Sequence, residues 1–218
     1  LHPERSDAFE LRVAGALGPV SFEASGFAAL IHDPLVAVPA SHLGAAAVDG
    51  APVLAVANGP EAFVWGVSAL VALQLPRGFS VAGHGAYTRG DSWPDNGAAV
   101  PLSGVAPWFG ALTLRYERPL FRGGHGFAAT TARLVGAKGR LSPLERAFLD
   151  AGFEGAGGTP GATAELYWVW DFAAGLRFNE SFTAVLNVAN LLDTHVADHG
   201  ARLPGAGASV RLSFSADF

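Results

Sequence analysis

The sequence contains no cysteine and no methionine, and only one of its 14 basic residues, Lys138, is a lysine. Without cysteine, the chain can form neither a disulfide framework nor a cysteine-based zinc or redox site. Charged residues make up only 15% of the 218 residues, well below the share that soluble domains usually carry. Half of the residues are hydrophobic, yet no apolar run reaches the ~18–20 residues of a membrane-spanning helix.

The overall composition excludes several further classes of protein. The 14 basic residues are outnumbered by 19 acidic ones, for a net charge of -5, so no nucleic-acid partner is expected. The 28 glycines and 14 prolines are too many for a helical bundle, and they show no collagen-like period. The aliphatic and aromatic content excludes disorder. Two classes remain, which are a large soluble all-β protein and a transmembrane β-barrel.

Alternation of apolar and polar residues is the main pattern in the chain. It is clearest over residues 209–218, where one face of a strand is apolar and the other polar. The apolar face of that strand comprises Val210, Leu212, Phe214, Ala216 and Phe218. Similar patterns predict strands near 9–13, 20–25, 62–75, 79–89, 112–117, 126–136, 165–172 and 182–188. We therefore expect about nine strands.

The connections between these strands differ in length in a regular way. Short turns are predicted at 16–19, 75–78, 119–125 and 179–181, and long segments at 32–61, 90–109, 137–161 and 190–208. The two kinds strictly alternate, which is typical of outer-membrane barrels, whose short turns face the periplasm and whose long loops face outside. Aromatic residues also lie near predicted strand ends, as barrel girdles do, whereas Trp168 and Trp170 are expected nearer mid-strand.

The last part of the chain resembles the barrel of TonB-dependent outer-membrane receptors. The run from Val185 to Asp193 is similar to the "v-N-L-x-D" penultimate strand of that family, and the terminal strand ending in Phe218 resembles its assembly signal. Pro3-Glu4-Arg5-Ser6 followed by Phe9-Glu10-Leu11 resembles the "PE-x-S-x-x-x-E-x-G" start of a mid-barrel strand. The chain departs from the family at Gly205-Ala206-Gly207, where an arginine is usual, and at Arg12-Val13, where a glycine is usual.

The resemblance implies a fold, a location and a function. The fold is an all-β, antiparallel, up-and-down transmembrane barrel of about 22 strands with a plug inside. Because no segment resembles a plug or a TonB box, residues 1–218 are expected to be the C-terminal part of such a barrel. The implied function is TonB-dependent uptake of a ferric siderophore, haem or cobalamin across the outer membrane of a Gram-negative bacterium. The implied partners are outer-membrane lipid, the barrel-assembly machinery, the TonB complex through a plug, and a small-molecule or metal-chelate ligand.

Particular residues carry these expectations. The outer-membrane assembly signal is assigned to Phe214 and Phe218. The charged residues on the polar faces of the strands are expected to line a solvated lumen; they are Glu10, Arg12, Arg115, Glu117, Arg133 and Arg211.

No catalytic residues and no cofactor are expected, because the chain has no paired carboxylates, nucleophile elbow or triad. His195 and His199 have the i, i+4 spacing of some zinc sites, but the segment has the character of a loop, and ordinary loop histidines are favoured. Asp91, Asp95 and Asn96 resemble the start of a calcium loop without its glycine and glutamate. Ser142, Pro143 and Glu145 predict the start of a helix of about two turns within a long loop.

Two alternatives follow from the same residues. A small, complete, porin-like barrel would require an even strand count and pairing of its first and last strands. A soluble all-β binding protein would require polar outer faces and short connections at both ends of the sheet. A barrel enzyme of the esterase type is a more distant third.

Overall fold

The computed structural model describes residues 1–48, 51–94, 97–121, 123–150, 166–178, 182–196 and 205–216, with the backbone alone at 51–52 and 147–150. The chain is almost entirely β-structure. The strands are β1 (Arg5–Leu17), β2 (Val20–His32), β3 (Leu35–Pro39), β4 (Ala47–Val48), β5 (Ala51–Pro52), β6 (Leu54–Asn58), β7 (Ala62–Gln74), β8 (Phe79–Ser92), β9 (Val100–Pro101), β10 (Phe109–Phe121), β11 (Gly124–Val135), β12 (Tyr167–Arg177), β13 (Phe182–Ala189) and β14 (Ser209–Ala216). A single-turn 3-10 helix covers Pro76–Gly78, and α1 covers Pro143–Asp150.

One antiparallel sheet contains the long strands, in the order β1-β2-β7-β8-β10-β11-β12-β13-β14, and β9 is a short addition beside β8. These nine strands follow one another along the chain as an up-and-down meander, which confirms the predicted number and order. Within the described residues β1 and β14 form the two edges and do not pair with each other. The sheet is therefore unclosed, as expected for part of a barrel and not for a small complete one.

Long and short connections alternate as predicted. The short ones join β1 to β2, β7 to β8, β10 to β11 and β12 to β13, and the long ones lie at 33–61, 93–108, 136–166 and 190–208. In an antiparallel meander this alternation puts all long connections at one end of the sheet. One short turn requires backbone in the left-handed region, at Arg77 (φ 65) and Gly78 (φ 86). A β-carbon at Gly78 would lie 2.0 Å from the Glu117 carbonyl oxygen, so only glycine fits there.

Two long connections contain structure of their own. In the first, β3 pairs with β6 and β4 with β5, which forms a projecting hairpin where the sequence predicts only a loop. In the third, α1 begins with the predicted capping arrangement. The Glu145 amide donates to Ser142 Oγ at 3.1 Å, and the Ser142 amide donates to Glu145 Oε2 at 2.8 Å. No helix in the described part of the chain is long and apolar enough to cross a membrane.

The register separates the side chains into an apolar face and a polar face, because neighbouring positions along a strand point to opposite sides. Leu114, Thr130, Phe172, Val188 and Val210 lie side by side across five strands on the apolar face. Large side chains on this face stay exposed, for example Leu212 at 59% and Phe214 at 75%. No second layer of the described residues covers them.

Aromatic side chains form a band near each end of the apolar face. Phe79 contacts Tyr116 near the short turns, with ring centroids 4.6 Å apart. Trp65 contacts Tyr87 near the long connections, at 5.5 Å. Trp168 and Trp170 belong to the second band, because β12 begins only at Tyr167. The mid-strand position expected for these two tryptophans was wrong, since the preceding connection is longer than the sequence pattern indicates.

The packed interior is small and lies at the end with the long connections. Its buried apolar cluster consists of Val135, Tyr167, Val169 and Val196. No large side chain of the described residues is fully buried. The sheet between the aromatic bands therefore depends on its backbone hydrogen bonds and on whatever covers its apolar face.

Candidate functional site

The polar face of the sheet brings together the charged residues that the sequence singled out. Arg115 and Arg211 lie in one cross-strand row, with Ala129, Ala173 and Asn187 between them. The strand pairing puts the remaining four charged residues on the same side of the sheet as this row; they are Glu10, Arg12, Glu117 and Arg133. All six thus share the face opposite the apolar one. That they line a water-filled lumen stays a prediction.

Two ion pairs lie on this polar face. Arg12 Nη2 is 2.6 Å from Glu23 Oε2 on the neighbouring strand, and Arg115 Nη2 is 2.8 Å from Glu117 Oε2. The Arg115 guanidinium also lies 4.2 Å from the centroid of the Phe127 ring. All these charged groups are exposed, so each pair adds little stability. Each pair joins charges of opposite sign on the polar face.

A second group of polar contacts ties two long connections together. The Glu145 carboxylate accepts from Lys138 Nζ at 2.8 Å, from the Ser142 amide at 2.8 Å and from the Gly104 amide at 3.2 Å. The Lys138 and Glu145 side chains are only 5% and 8% exposed. Because Gly104 lies in the second long connection and Glu145 in the third, one buried carboxylate links them.

Asp91 forms a third group at the end of β8. Its Oδ2 accepts from Arg89 Nε at 2.8 Å, and its Oδ1 accepts from Arg140 Nη2 at 2.5 Å. The carboxylate is 13% exposed, whereas both arginine side chains are more than 40% exposed. A cleft of about 90 Å³ lies beside the two arginines and is also lined by Tyr87 and Trp108. Asp91 is therefore an ion-pair partner and not the free calcium ligand that the sequence raised as a possibility; Asp95 and Asn96 lie outside the described residues.

The connection between β13 and β14 is organised around Asn190, which is 3% exposed. Its amide nitrogen donates to the carbonyls of Thr194 (2.8 Å) and Ala206 (3.3 Å), and its Oδ1 accepts from the Thr194 amide at 2.9 Å. Asp193 Oδ1 accepts from the Ala208 amide at 2.7 Å. These contacts give a physical reason for the asparagine and the aspartate in the run from Val185 to Asp193, since both close the base of the last long connection.

The other predicted residues are placed as follows. His195 is exposed in the connection after β13, and His199 lies outside the described residues. Within the described part of the chain, no group of three or more His, Asp or Glu side chains could hold a metal ion. Phe214 projects from the apolar face of β14, and Phe218 lies outside the described residues. The assembly role of these two phenylalanines stays a prediction.

The chain is similar to a known family in sequence and to known structures in fold. The family described as TonB dependent receptor-like, beta-barrel matches residues 1–191. The chain belongs to this family. Its members are receptors and transporters. No curated protein sequence matches the chain.

Several solved structures share the fold. The copper transporter OprC has a TM-score of 0.79 at 15% identity, over 99% of this chain and 32% of OprC. The FrpB iron transporter from Neisseria meningitidis (F5-1 variant) has a TM-score of 0.71 at 19% identity, over 99% of this chain and 32% of that one. The pyoverdine outer membrane receptor FpvA from Pseudomonas aeruginosa PAO1 has a TM-score of 0.64 at 16% identity, over 100% and 30%. The chain thus spans about a third of the length of these receptors.

Sequence reasoning did not find the contacts made by Arg89, Asp91 and Arg140. Asp91 and Arg140 are 49 positions apart, and no local pattern connects them. Arg89 and Asp91 are two positions apart on a strand, so their presence on one face was visible in the sequence. Glu145 was visible too, through its spacing from Ser142, but its contacts to Lys138 and Gly104 depend on how the two connections fold.

Proposed function

We propose that this chain forms the C-terminal part of an outer-membrane receptor barrel that takes up a scarce metal chelate in a TonB-dependent manner. The observation that carries the proposal is the two-faced sheet of nine sequential strands, with its long connections at one end. An exposed apolar face bounded by two aromatic bands fits a bilayer. The opposite face, with its paired and unpaired charges, fits the water-filled interior of a large barrel.

The ligand class follows from the side chains that the chain offers. A site for a bare soft metal uses Cys, Met or clustered His ligands. The chain has no Cys and no Met, and the described residues hold no metal-binding group. A preformed chelate brings its own metal ligands and needs only aromatic, cationic and hydrogen-bonding surfaces. The ferric siderophore, haem and cobalamin classes all meet this description, and the polar face offers such groups at Arg115, Phe127 and Arg211.

The similarity to a copper transporter in fold does not change this proposal. An identity of 15% supports the shared barrel and says nothing about ligand. The lack of methionine in this chain argues against capture of free copper by a methionine-rich surface.

The proposed partners follow from the same role. Energy would reach the receptor from the TonB complex through a plug within the barrel. The outer-membrane assembly machinery would recognise the last strand, with Phe214 and Phe218 as the aromatic residues of its signal.

The test is uptake by cells that produce the complete receptor. A deletion strain is complemented with the wild-type gene and supplied with labelled ferric siderophores, haemin, cobalamin or copper(II). We expect cell-associated label above the deletion strain for one of the three chelates, abolished by a protonophore or by loss of TonB. Accumulation that persists without TonB would instead indicate a passive porin.

A variant pair links the uptake to this chain. Arg115→Gln combined with Arg211→Gln removes two charges of the polar face, and we expect uptake to fall while the amount of folded receptor stays unchanged. Leu114→Val on the apolar face is the matched control. If no chelate accumulates although the receptor is folded and present, the proposed function is wrong.

A further inference from the structure

Two arginines lie on the apolar side of the sheet, where charge is unexpected. Arg89 is an even number of residues from Val81 and Tyr87 on β8, so it points to the same side of the sheet. It lies directly opposite Trp65 on β7. Arg140 reaches the same side, because its guanidinium contacts Asp91, two positions beyond Arg89. The pair therefore lies on the face of the exposed aliphatic side chains and not on the polar face.

The height of the pair relative to a bilayer follows from the aromatic bands. Tyr87 and Phe79 are eight positions apart on β8. Trp108, one residue before β10, and Tyr116 within β10 are also eight positions apart. At about 3.3 Å per residue and a tilt of about 45°, each pair spans about 20 Å across a membrane. This is close to the apolar band of an outer-membrane barrel. Arg89 lies two residues further, about 5 Å outside the aromatic band, at the depth of lipid headgroups.

The contacts of the pair leave it ready to bind an anion. The Asp91 carboxylate, which is 13% exposed, contacts both guanidinium groups, so these three side chains carry one excess positive charge. Arg89 uses Nε and Arg140 uses one Nη for Asp91. Both side chains remain more than 40% exposed. A guanidinium has five N–H donors. Arg89 also contacts the Tyr87 hydroxyl, and several N–H donors of the pair remain for an anion.

We propose that Arg89 and Arg140 bind a phosphate group of a phosphorylated glycolipid in the outer leaflet, on the lipid side of the barrel. Guanidinium groups bind phosphate oxygens in a bidentate manner. Tyr87 and Trp108 lie directly below, where they would contact the sugar and the start of the acyl chains. The inference rests on the proposed function only in that the chain must lie in an outer membrane with its long connections outside.

The arginine pair and a site for transported ligand lie on opposite sides of the sheet. A transported chelate passes through the barrel and meets the polar face, with Arg115 and Arg211. Arg89 and Arg140 are on the opposite side, so a molecule bound there stays in the membrane. Their ligand is therefore a lipid with an anionic headgroup and not the cargo.

The experiment measures lipid retention by the purified complete receptor in detergent with native mass spectrometry. The probes are bisphosphorylated lipid A, the same lipid without phosphates, and inorganic phosphate as a competitor. We expect the wild type to retain bisphosphorylated lipid A and to lose binding about tenfold when Arg89→Gln and Arg140→Gln are combined. The dephosphorylated lipid should bind about as weakly as that double variant, and millimolar inorganic phosphate should not displace lipid A.

Arg118 provides the matched control. It lies two positions beyond Tyr116 on the same face, as Arg89 lies two positions beyond Tyr87, but at the end with the short turns. Arg118→Gln should retain lipid A at the wild-type level. The variant with Arg89→Lys and Arg140→Lys keeps both charges and should lose less than the glutamine variant. If the glutamine variant does not fold, as judged by heat-modifiable migration on gels, the lysine variant is measured in its place.

Several results would overturn the inference. Equal binding of the phosphorylated and dephosphorylated lipids by the wild type would remove the role of phosphate. Unchanged retention in the folded glutamine variant would remove the role of the arginines, as would an equal loss in Arg118→Gln. Displacement by inorganic phosphate would indicate a site for a free anion. None of these readouts involves uptake, so failure of the proposed function and failure of this inference can be told apart.

Discussion

The buried pair of Lys138 and Glu145 leads to a prediction about how two external connections are held together. Glu145→Gln removes the carboxylate that Lys138 Nζ contacts at 2.8 Å, and the amide offers a weaker acceptor to the Gly104 and Ser142 amides. Breaking a buried ion pair by removing one partner costs about 3–5 kcal/mol. We take about 3 kcal/mol, because the lysine side chain can move toward solvent once released. The population in which this part of the third connection is open should then rise by roughly a hundredfold.

A protease that cleaves after lysine measures this opening directly. Lys138 is the only lysine of the chain, and its side chain is 5% exposed. Cleavage of the bond between Lys138 and Gly139 therefore requires the connection to open, and the cleavage rate follows the open population when reclosing is fast. We expect the purified receptor with Glu145→Gln to be cut at this bond roughly a hundredfold faster than the wild type, as quantified by mass spectrometry.

Two variants serve as controls for this prediction. Glu117→Gln disrupts an exposed ion pair with Arg115 on the polar face and should leave cleavage after Lys138 unchanged. Glu145→Asp keeps the charge on a shorter side chain and should give an intermediate rate. Cleavage of Glu145→Gln at the wild-type rate would show that the carboxylate does not hold the two connections together, and the reasoning from its burial would be refuted.

Three further predictions concern the strands near the C-terminus. Asn190→Ala removes three hydrogen bonds to backbone groups and should lower the free energy of unfolding in urea by about 2–4 kcal/mol. A loss below about 0.5 kcal/mol, which is the size expected of a surface substitution, would contradict the described network. Leu212→Arg should destabilise the receptor in lipid bilayers by about 2–4 kcal/mol, while Ser213→Arg on the other face should have little effect; equal effects would be evidence against two different environments. Phe218→Leu should lower the amount of folded receptor in the outer membrane without changing refolding in detergent, as followed by heat-modifiable migration, and unchanged amounts would leave the terminal aromatic as a lipid contact only.

The strand order was predictable because each strand has one apolar and one polar face. Period-two alternation, as in residues 209–216, reports that difference directly. The lengths of the connections were predictable for a related reason, because the alternation of apolar and polar residues ends where a strand ends. The start of α1 was predictable from Ser142 and Glu145, because the capping arrangement is local.

Other features depend on contacts that the pattern does not encode. The hairpin of β3 and β6 was missed because its strands consist mainly of Val and Ala on both faces, so no alternation marks them. The start of β12 was misplaced, which put Trp168 and Trp170 in mid-strand. The Asp91 cluster joins residues from β8 and the third long connection, and only the folded chain places them together.

We expect the apolar face of the sheet to contact lipid and the polar face to contact water. Single cysteines are introduced at 112–117 and 210–213, within a chain that has no cysteine of its own, and are labelled with nitroxide spin labels in lipid bilayers. Collision rates with oxygen and with a water-soluble nickel complex are then measured by electron paramagnetic resonance. Labels at 112, 114, 116, 210 and 212 should collide more often with oxygen, and labels at 113, 115, 117, 211 and 213 should collide more often with the nickel complex. Equal accessibility at neighbouring positions, or the opposite alternation, would contradict this expectation.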